Sequence, residues 1–120
     1  MKNLFIPKKL LSPQEKKTVL AFLNGLQEEG GGEFLERLVL FGSKARGDSK
    51  KDSDIDLLAV VKNKKAEDKV YELVAKTLSL FGVYLSVKTF PQKEFEKFTQ
   101  LKTPFMENVN REGIVLWPKQ

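Results

Sequence analysis

Apolar residues fall at helical spacing early in the chain: Val19, Phe22, Leu23 and Leu26 follow the i, i+3, i+4, i+7 rule of an amphipathic helix. Its start is signalled by Ser12 as N-cap, Pro13 at the first helical position and Glu15 three residues after the cap, a capping-box spacing. Gly30-Gly31-Gly32 ends it. Between Phe34 and Phe41 the run Leu38-Val39-Leu40-Phe41 fits a buried strand. A polar, glycine-containing segment from Gly42 to Ser53 separates it from a second apolar strand, Ile55 to Val61. Lys64 to Phe81 then predicts a helix with its stripe on Val70, Leu73, Val74, Thr77, Leu78 and Phe81, stopped by Gly82. Strict alternation follows from Val83 to Phe90, with Val83, Leu85 and Val87 on one face and Tyr84, Ser86 and Lys88 on the other. A short helix from Pro91 to Phe98, another from Thr103-Pro104 to Gly113, and a strand from Ile114 to Trp117 complete the chain. Strands interspersed with helices in this order predict an α/β (α+β) fold: a small mixed β-sheet flanked by helices.

Composition narrows the chemistry. At 120 residues the chain is expected to form a single domain, residues 1–120. There is no cysteine, which excludes thiolate nucleophiles, disulfides and cysteine-ligated metals, and no histidine, the commonest general base. Any metal must bind through oxygen, which favours Mg²⁺ or Mn²⁺. No apolar run approaches the roughly 20 residues that span a bilayer, and Met1 to Pro13 lacks a signal-peptide apolar region. A cytoplasmic protein with no membrane association is therefore expected. The net charge of +5 suits an anionic partner, although solvated lysine-rich faces are ordinary. Lys62, Lys64, Lys65 and Lys69 form the one basic cluster that nucleic acid could use, a weak signal.

The chemistry concentrates in Leu40-Phe41-Gly42-Ser43-Lys44-Ala45-Arg46-Gly47-Asp48 and Ser53-Asp54-Ile55-Asp56-Leu57-Leu58. A strand that ends in Gly-Ser and turns into a short helix offers backbone N–H groups and a hydroxyl to an anion. Gly42 permits close backbone approach, and Arg46 lies one turn further on, where it can pair with phosphate oxygens. Asp54 and Asp56 are two apart, so on a strand both carboxylates point to one side, as a Mg²⁺ site requires. Singly, a Gly-Ser is most often a turn and an Asp-x-Asp most often solvated. The P-loop spacing is missing. Together, with one half between two apolar strands and the other heading the second, they are much harder to dismiss.

Gly42-Ser43, ten intervening residues, then Asp54-Ile55-Asp56 resembles the Gly-Ser-x10-Asp-x-Asp signature of the DNA polymerase β-like nucleotidyltransferase superfamily. The fuller pattern, Gly-Ser-x-Ala-Arg-Gly followed by Ser-Asp-x-Asp-Leu, is similar to its minimal nucleotidyltransferase branch. The resemblance implies that Gly42 and Ser43 bind the triphosphate of a nucleoside triphosphate, ATP being the expected one. Lys44 and Arg46 become candidates for further phosphate contacts, and Asp54 and Asp56 for catalysis and for coordinating Mg²⁺ or Mn²⁺. It also implies transfer of a nucleoside monophosphate to a hydroxyl, and a protein partner, a HEPN-domain toxin, for which such proteins serve as antitoxins.

The sequence departs from that pattern at one position. The superfamily takes a third carboxylate from a later strand, and alignment puts Ser86 there, with no Asp or Glu between Glu72 and Glu94. Three explanations stand open: a domain that binds nucleotide but transfers slowly or not at all, a carboxylate supplied by Glu94, Glu96 or the partner, or a different alignment of that strand. The first makes the chain a binding module that neutralises its partner by contact. Phe95, Phe98 and Leu101, at helical spacing, are expected to pack or to face a partner, and Trp117 to anchor an edge.

Overall fold

In the computed structural model, residues 4–7, 9–30, 34–48 and 53–118 are described. They form α1 (Pro13–Gly30), β1 (Leu35–Phe41), α2 (Gly42–Arg46), β2 (Ile55–Val61), α3 (Lys64–Phe81), β3 (Leu85–Pro91), α4 (Gln92–Gln100), α5 (Pro104–Glu112) and β4 (Ile114–Trp117). Gly31, Gly32 and residues 49–52 of the polar segment lie outside the described residues. The strands make one mixed sheet in the order β3-β2-β1-β4. β1 is antiparallel to β2 and β4, whereas β2 and β3 are parallel, joined by the crossover helix α3.

The sequence signals act where expected. Ser12 Oγ accepts from the Glu15 N–H at 3.1 Å and the Ser12 N–H donates to Glu15 Oε1 at 2.8 Å, a closed capping box. Asn63 caps α3 by accepting from the Ala66 N–H, and Gly82 ends that helix in the left-handed conformation, φ 69°. β3 starts at Leu85 and reaches Pro91, so Val83 and Tyr84 precede the strand instead of opening it. Leu78 departs from the predicted stripe and is exposed. At 100° per residue it lies at the edge of the arc centred on Val70, Val74 and Thr77.

The sheet's two faces differ. One packs on α1 and α3: Leu38, Leu40, Ile55, Leu57, Ala59, Val61 and Leu85 meet Val19, Phe22, Leu23, Leu26 and Val70 in the main core. The other carries a smaller cluster, Val39, Leu58, Val60 and Val109, covered by aromatic rings of α4 and α5. Phe95 and Phe98 pack there, with Phe98 stacked on Phe90 at 5.1 Å, while Leu101 is exposed.

Candidate functional site

β2 reads Ile-Asp-Leu-Leu-Ala-Val-Val, and its two-residue period sends Ile55, Leu57 and Ala59 into the main core. Asp56 is left on the opposite face, half-buried. It pairs with Phe41 on one side and with Ser86 on the other, so the register brings the end of β1, the start of β2 and the start of β3 together. Asp54 precedes the strand and is exposed.

Gly42 is indispensable to this arrangement. Its φ of 75° lies in the left-handed region that side chains disfavour. A Cβ added there would also fall 2.4 Å from Asp56 Oδ2. The Asp56 carboxylate therefore rests against the Gly42 backbone, where β1 turns into α2. That helix begins without a side-chain cap, and Ser43 is half-buried beside it.

Charge is arranged unevenly around Asp56. Burial raises its pKa and the neighbouring Asp54 carboxylate raises it further; Lys88, Arg46 and a hydrogen bond from Ser86 act in the lowering direction without reversing the shift. Two like charges forced together in a partly desolvated spot are what a bound cation relieves. The available donors, the carboxylates of Asp54 and Asp56 and the Ser86 hydroxyl, are all oxygen and suit a hard divalent ion held by two protein carboxylates. Among the described residues no group of three or more His, Cys, Asp or Glu gathers in one place. Ser86 occupies the register position beside Asp56. Glu96 does not supply a third carboxylate there. It lines a hollow with Glu36, Arg37 and Val60, about 13 Å further along the strands by the rise per residue.

The two cations of α2 are engaged with protein carboxylates. Lys44 is buried, its Nζ 2.9 Å from Glu15 Oε2, so Glu15 caps α1 with one oxygen and holds α2 with the other. Burial opposes ionisation of Glu15, but the Ser12 backbone N–H and the Lys44 ammonium outweigh it and lower its pKa. Lys44 and Asp54 also line a cleft of about 450 Å³ with Ser53 and Tyr84. Arg46 turns the other way, with Nε 3.1 Å from Asp48 and Nη1 3.2 Å from Glu112 on α5. Of the sequence candidates, then, Gly42, Ser43, Asp54 and Asp56 sit around the turn, Arg46 flanks it, and Lys44 faces α1. Lys62, Lys64 and Lys65 are exposed away from it at the start of α3, and Lys69 pairs with Glu72.

Sequence reasoning did not place Lys88 or Phe105 at the site. Lys88 Nζ stands 6.0 Å from the Phe105 ring centroid, and Phe105 meets Phe41 edge-on at 5.4 Å. The polar face of β3 already carried Lys88. Nothing local signalled Phe105, because only tertiary packing brings α5 to the end of β1.

A mixed sheet that sets a Gly-Ser turn beside an aspartate on the adjoining strand and another just before it is the frame of a nucleotidyl-transferring domain. The nucleotidyltransferase domain family matches residues 20–112, and the chain belongs to it. Two relatives from Methanocaldococcus jannaschii are similar in sequence. Putative protein adenylyltransferase MJ0604 is 35% identical over 103 residues, 86% of this chain and 98% of its own. Putative protein adenylyltransferase MJ0141 is 29% identical over 83 residues, 67% of this chain and 77% of its own. Among solved structures, a toxin–antitoxin crystallised with AMP-PNP superposes with a TM-score of 0.50 at 21% identity, covering 82% of this chain and 73% of that one. A mutant of the toxin–antitoxin MntA-HpeT gives 0.51 at 19% identity, covering 82% and 72%. At that identity these two structures show a shared fold. No helix among the described residues is long and apolar enough to cross a membrane.

Proposed function

We propose that the chain transfers AMP from ATP to a hydroxyl of a protein partner and acts as the antitoxin of a HEPN toxin pair. The observation that carries this reading is the close approach of the Gly42 turn to Asp56, so tight that a Cβ on Gly42 would collide with Asp56 Oδ2; it supports a phosphate-binding turn beside the aspartates. The relative MJ0604, whose name includes protein adenylyltransferase, supports the reaction class. The toxin–antitoxin neighbours supply only the fold, and the antitoxin role follows from the family resemblance of the motif.

In this reading Gly42 and Ser43 hold the triphosphate by backbone N–H groups and the Ser43 hydroxyl. Arg46, exchanging Glu112 for phosphate oxygens, fixes its orientation. Asp54 and Asp56 would hold Mg²⁺ or Mn²⁺, which would supply stabilisation of the charge developing on the phosphate oxygens. The acceptor oxygen forms its bond to the α-phosphorus as the bond to the bridging oxygen breaks and pyrophosphate leaves. The hydroxyl proton passes to solvent, because Ser86 stands where a carboxylate would accept it. Lys44, committed to Glu15, seats α2 and touches phosphate only if that pair opens.

Ser86 also favours a second reading: a domain that binds nucleotide and partner but transfers slowly, neutralising by contact. One experiment separates the two. Label from α-³²P-ATP is followed onto the partner with Mg²⁺ present, in wild type, Asp54→Asn, Asp56→Asn and Ser86→Asp. The transfer reading expects label in wild type, none in Asp54→Asn and more in Ser86→Asp. Label that persists in both Asp54→Asn and Asp56→Asn contradicts it. Partner neutralisation that survives Asp54→Asn with no label in wild type establishes the contact reading.

A further inference from the structure

A hollow of about 200 Å³ opens between α2 and α5, walled by Phe41, Gly42, Arg46, Phe105, Asn108 and Glu112. It adjoins the Gly42 turn directly. Its volume is below the roughly 300–1,000 Å³ of pockets that enclose whole drug-sized ligands, so it suits one ring system and not a complete nucleotide. Its walls are differentiated. Phe41 and Phe105 supply aromatic surface, and their edge-to-face contact fixes both rings. Asn108 accepts from Arg111 through Oδ1, which leaves its NH₂ group as a donor at the rim. Glu112, paired with Arg46 here, is acceptor-only.

We infer that this hollow receives the base of the bound nucleotide, laid against Phe105 and read by the Asn108 amide, with Glu112 at its rim accepting from the ribose hydroxyls. The inference rests on the nucleotide reading above and adds the place of the base. Arg46 connects the two halves. When it moves from Glu112 to the phosphates, Glu112 is released for the sugar at the same step. Free protein therefore holds the nucleoside wall and the phosphate arm together as an ion pair, and the nucleotide exchanges both partners. An amide that presents a donor next to an aromatic wall matches the ring-nitrogen acceptors of a purine.

The test compares ATP with inorganic tripolyphosphate, both titrated with Mg²⁺ into wild type, Asn108→Trp and Glu112→Gln. Asn108 is exposed, so its replacement by Trp fills the hollow without entering the core. ATP affinity is expected to fall about tenfold in Asn108→Trp, the scale of one lost stacked base, with tripolyphosphate affinity unchanged; that unchanged value also shows the variant is folded. In Glu112→Gln, ATP is expected to lose its preference over 2′,3′-dideoxy-ATP. Wild-type ATP and tripolyphosphate binding with neither ATP effect in the variants overturns the nucleoside site alone. Failure of wild type to bind either ligand overturns the nucleotide reading and this inference with it. An Asn108→Trp defect in partner labelling with ATP affinity intact assigns the hollow to the acceptor, and so overturns the inference too.

Discussion

The two faces of the sheet share their strands yet serve opposite ends. On the α1–α3 face, Leu38, Leu40, Leu57, Ala59 and Val61 are fully buried, and two helices close the surface along its length. On the other face the same strands carry a Val39–Leu58–Val60 patch under the phenylalanines of α4 and α5, then open onto Asp56, Ser86 and Lys88. Apolar burial at roughly 25 cal/mol per Å² explains the first face completely. It explains the second only as far as Phe41 and Phe105. Beyond them the chain accepts an aspartate whose ionised form is penalised by burial and by a neighbouring aspartate. The comparison teaches where stability ends and chemistry begins on one strand: Leu57 and Asp56 are adjacent in sequence and belong to different problems.

Asp56→Asn tests the separation most severely. On the proposed function, transfer is expected to fall by about 10³-fold, the scale of several kcal/mol of lost charge stabilisation. Stability at pH 7 should not fall, because the substitution removes an ionised group whose pKa the fold raises. A thermal midpoint that drops with activity would mean that Asp56 is part of the packing after all.

A pair of glycines sharpens the same line. Gly42 and Gly82 both have left-handed φ, but a Cβ at Gly82 meets nothing within 4 Å. Gly82→Ala is therefore expected to cost only backbone strain, about 1–2 kcal/mol, with transfer unchanged. Gly42→Ala bears that strain and displaces Asp56 as well, so transfer should fall about 10²-fold. Denaturant melts and single-turnover labelling of both variants decide it; equal activities would remove Gly42 from the account.

Lys44 spans the seam between α1 and α2. Lys44→Ala leaves Glu15 partly buried without its cation and should destabilise the fold by about 3 kcal/mol in urea melts. A loss confined to ATP affinity, with stability intact, would instead make Lys44 a phosphate ligand.

The smallest effect is a pH dependence. Glu15 has a lowered pKa in the fold, so its contribution is complete above the ordinary carboxylate range and is lost as the pH falls through the lowered value. Asp56 acts oppositely: its raised pKa means that stability is lost as the pH rises through the carboxylate range. Urea midpoints between about pH 3 and 6 should flatten on the acid side in Glu15→Gln and rise on the neutral side in Asp56→Asn.

Much of this was legible in the chain before folding. The capping box at Ser12, the β2 run and the Gly42-Ser43/Asp54-Asp56 spacing are local signals, and each produced its element or cluster. The alternation of β3 likewise carried Ser86 to the register position beside Asp56. What stayed hidden depends on partners distant in sequence. The second oxygen of Glu15 reaches Lys44, Arg46 reaches Glu112, and Phe105 reaches Phe41 only once α1 and α5 have docked. A motif reports which residues gather at a turn; it does not report which of their charges are already paired.

We propose that the Gly42 turn and the aspartate pair form one metal-dependent nucleotide site. Calorimetry of ATP binding with and without Mg²⁺, in wild type and Asp54→Asn, tests it most directly. Binding in wild type is expected to need Mg²⁺ and to weaken at least tenfold in Asp54→Asn, the loss of one charged ligand. ATP binding that is indifferent both to Mg²⁺ and to Asp54→Asn would contradict it.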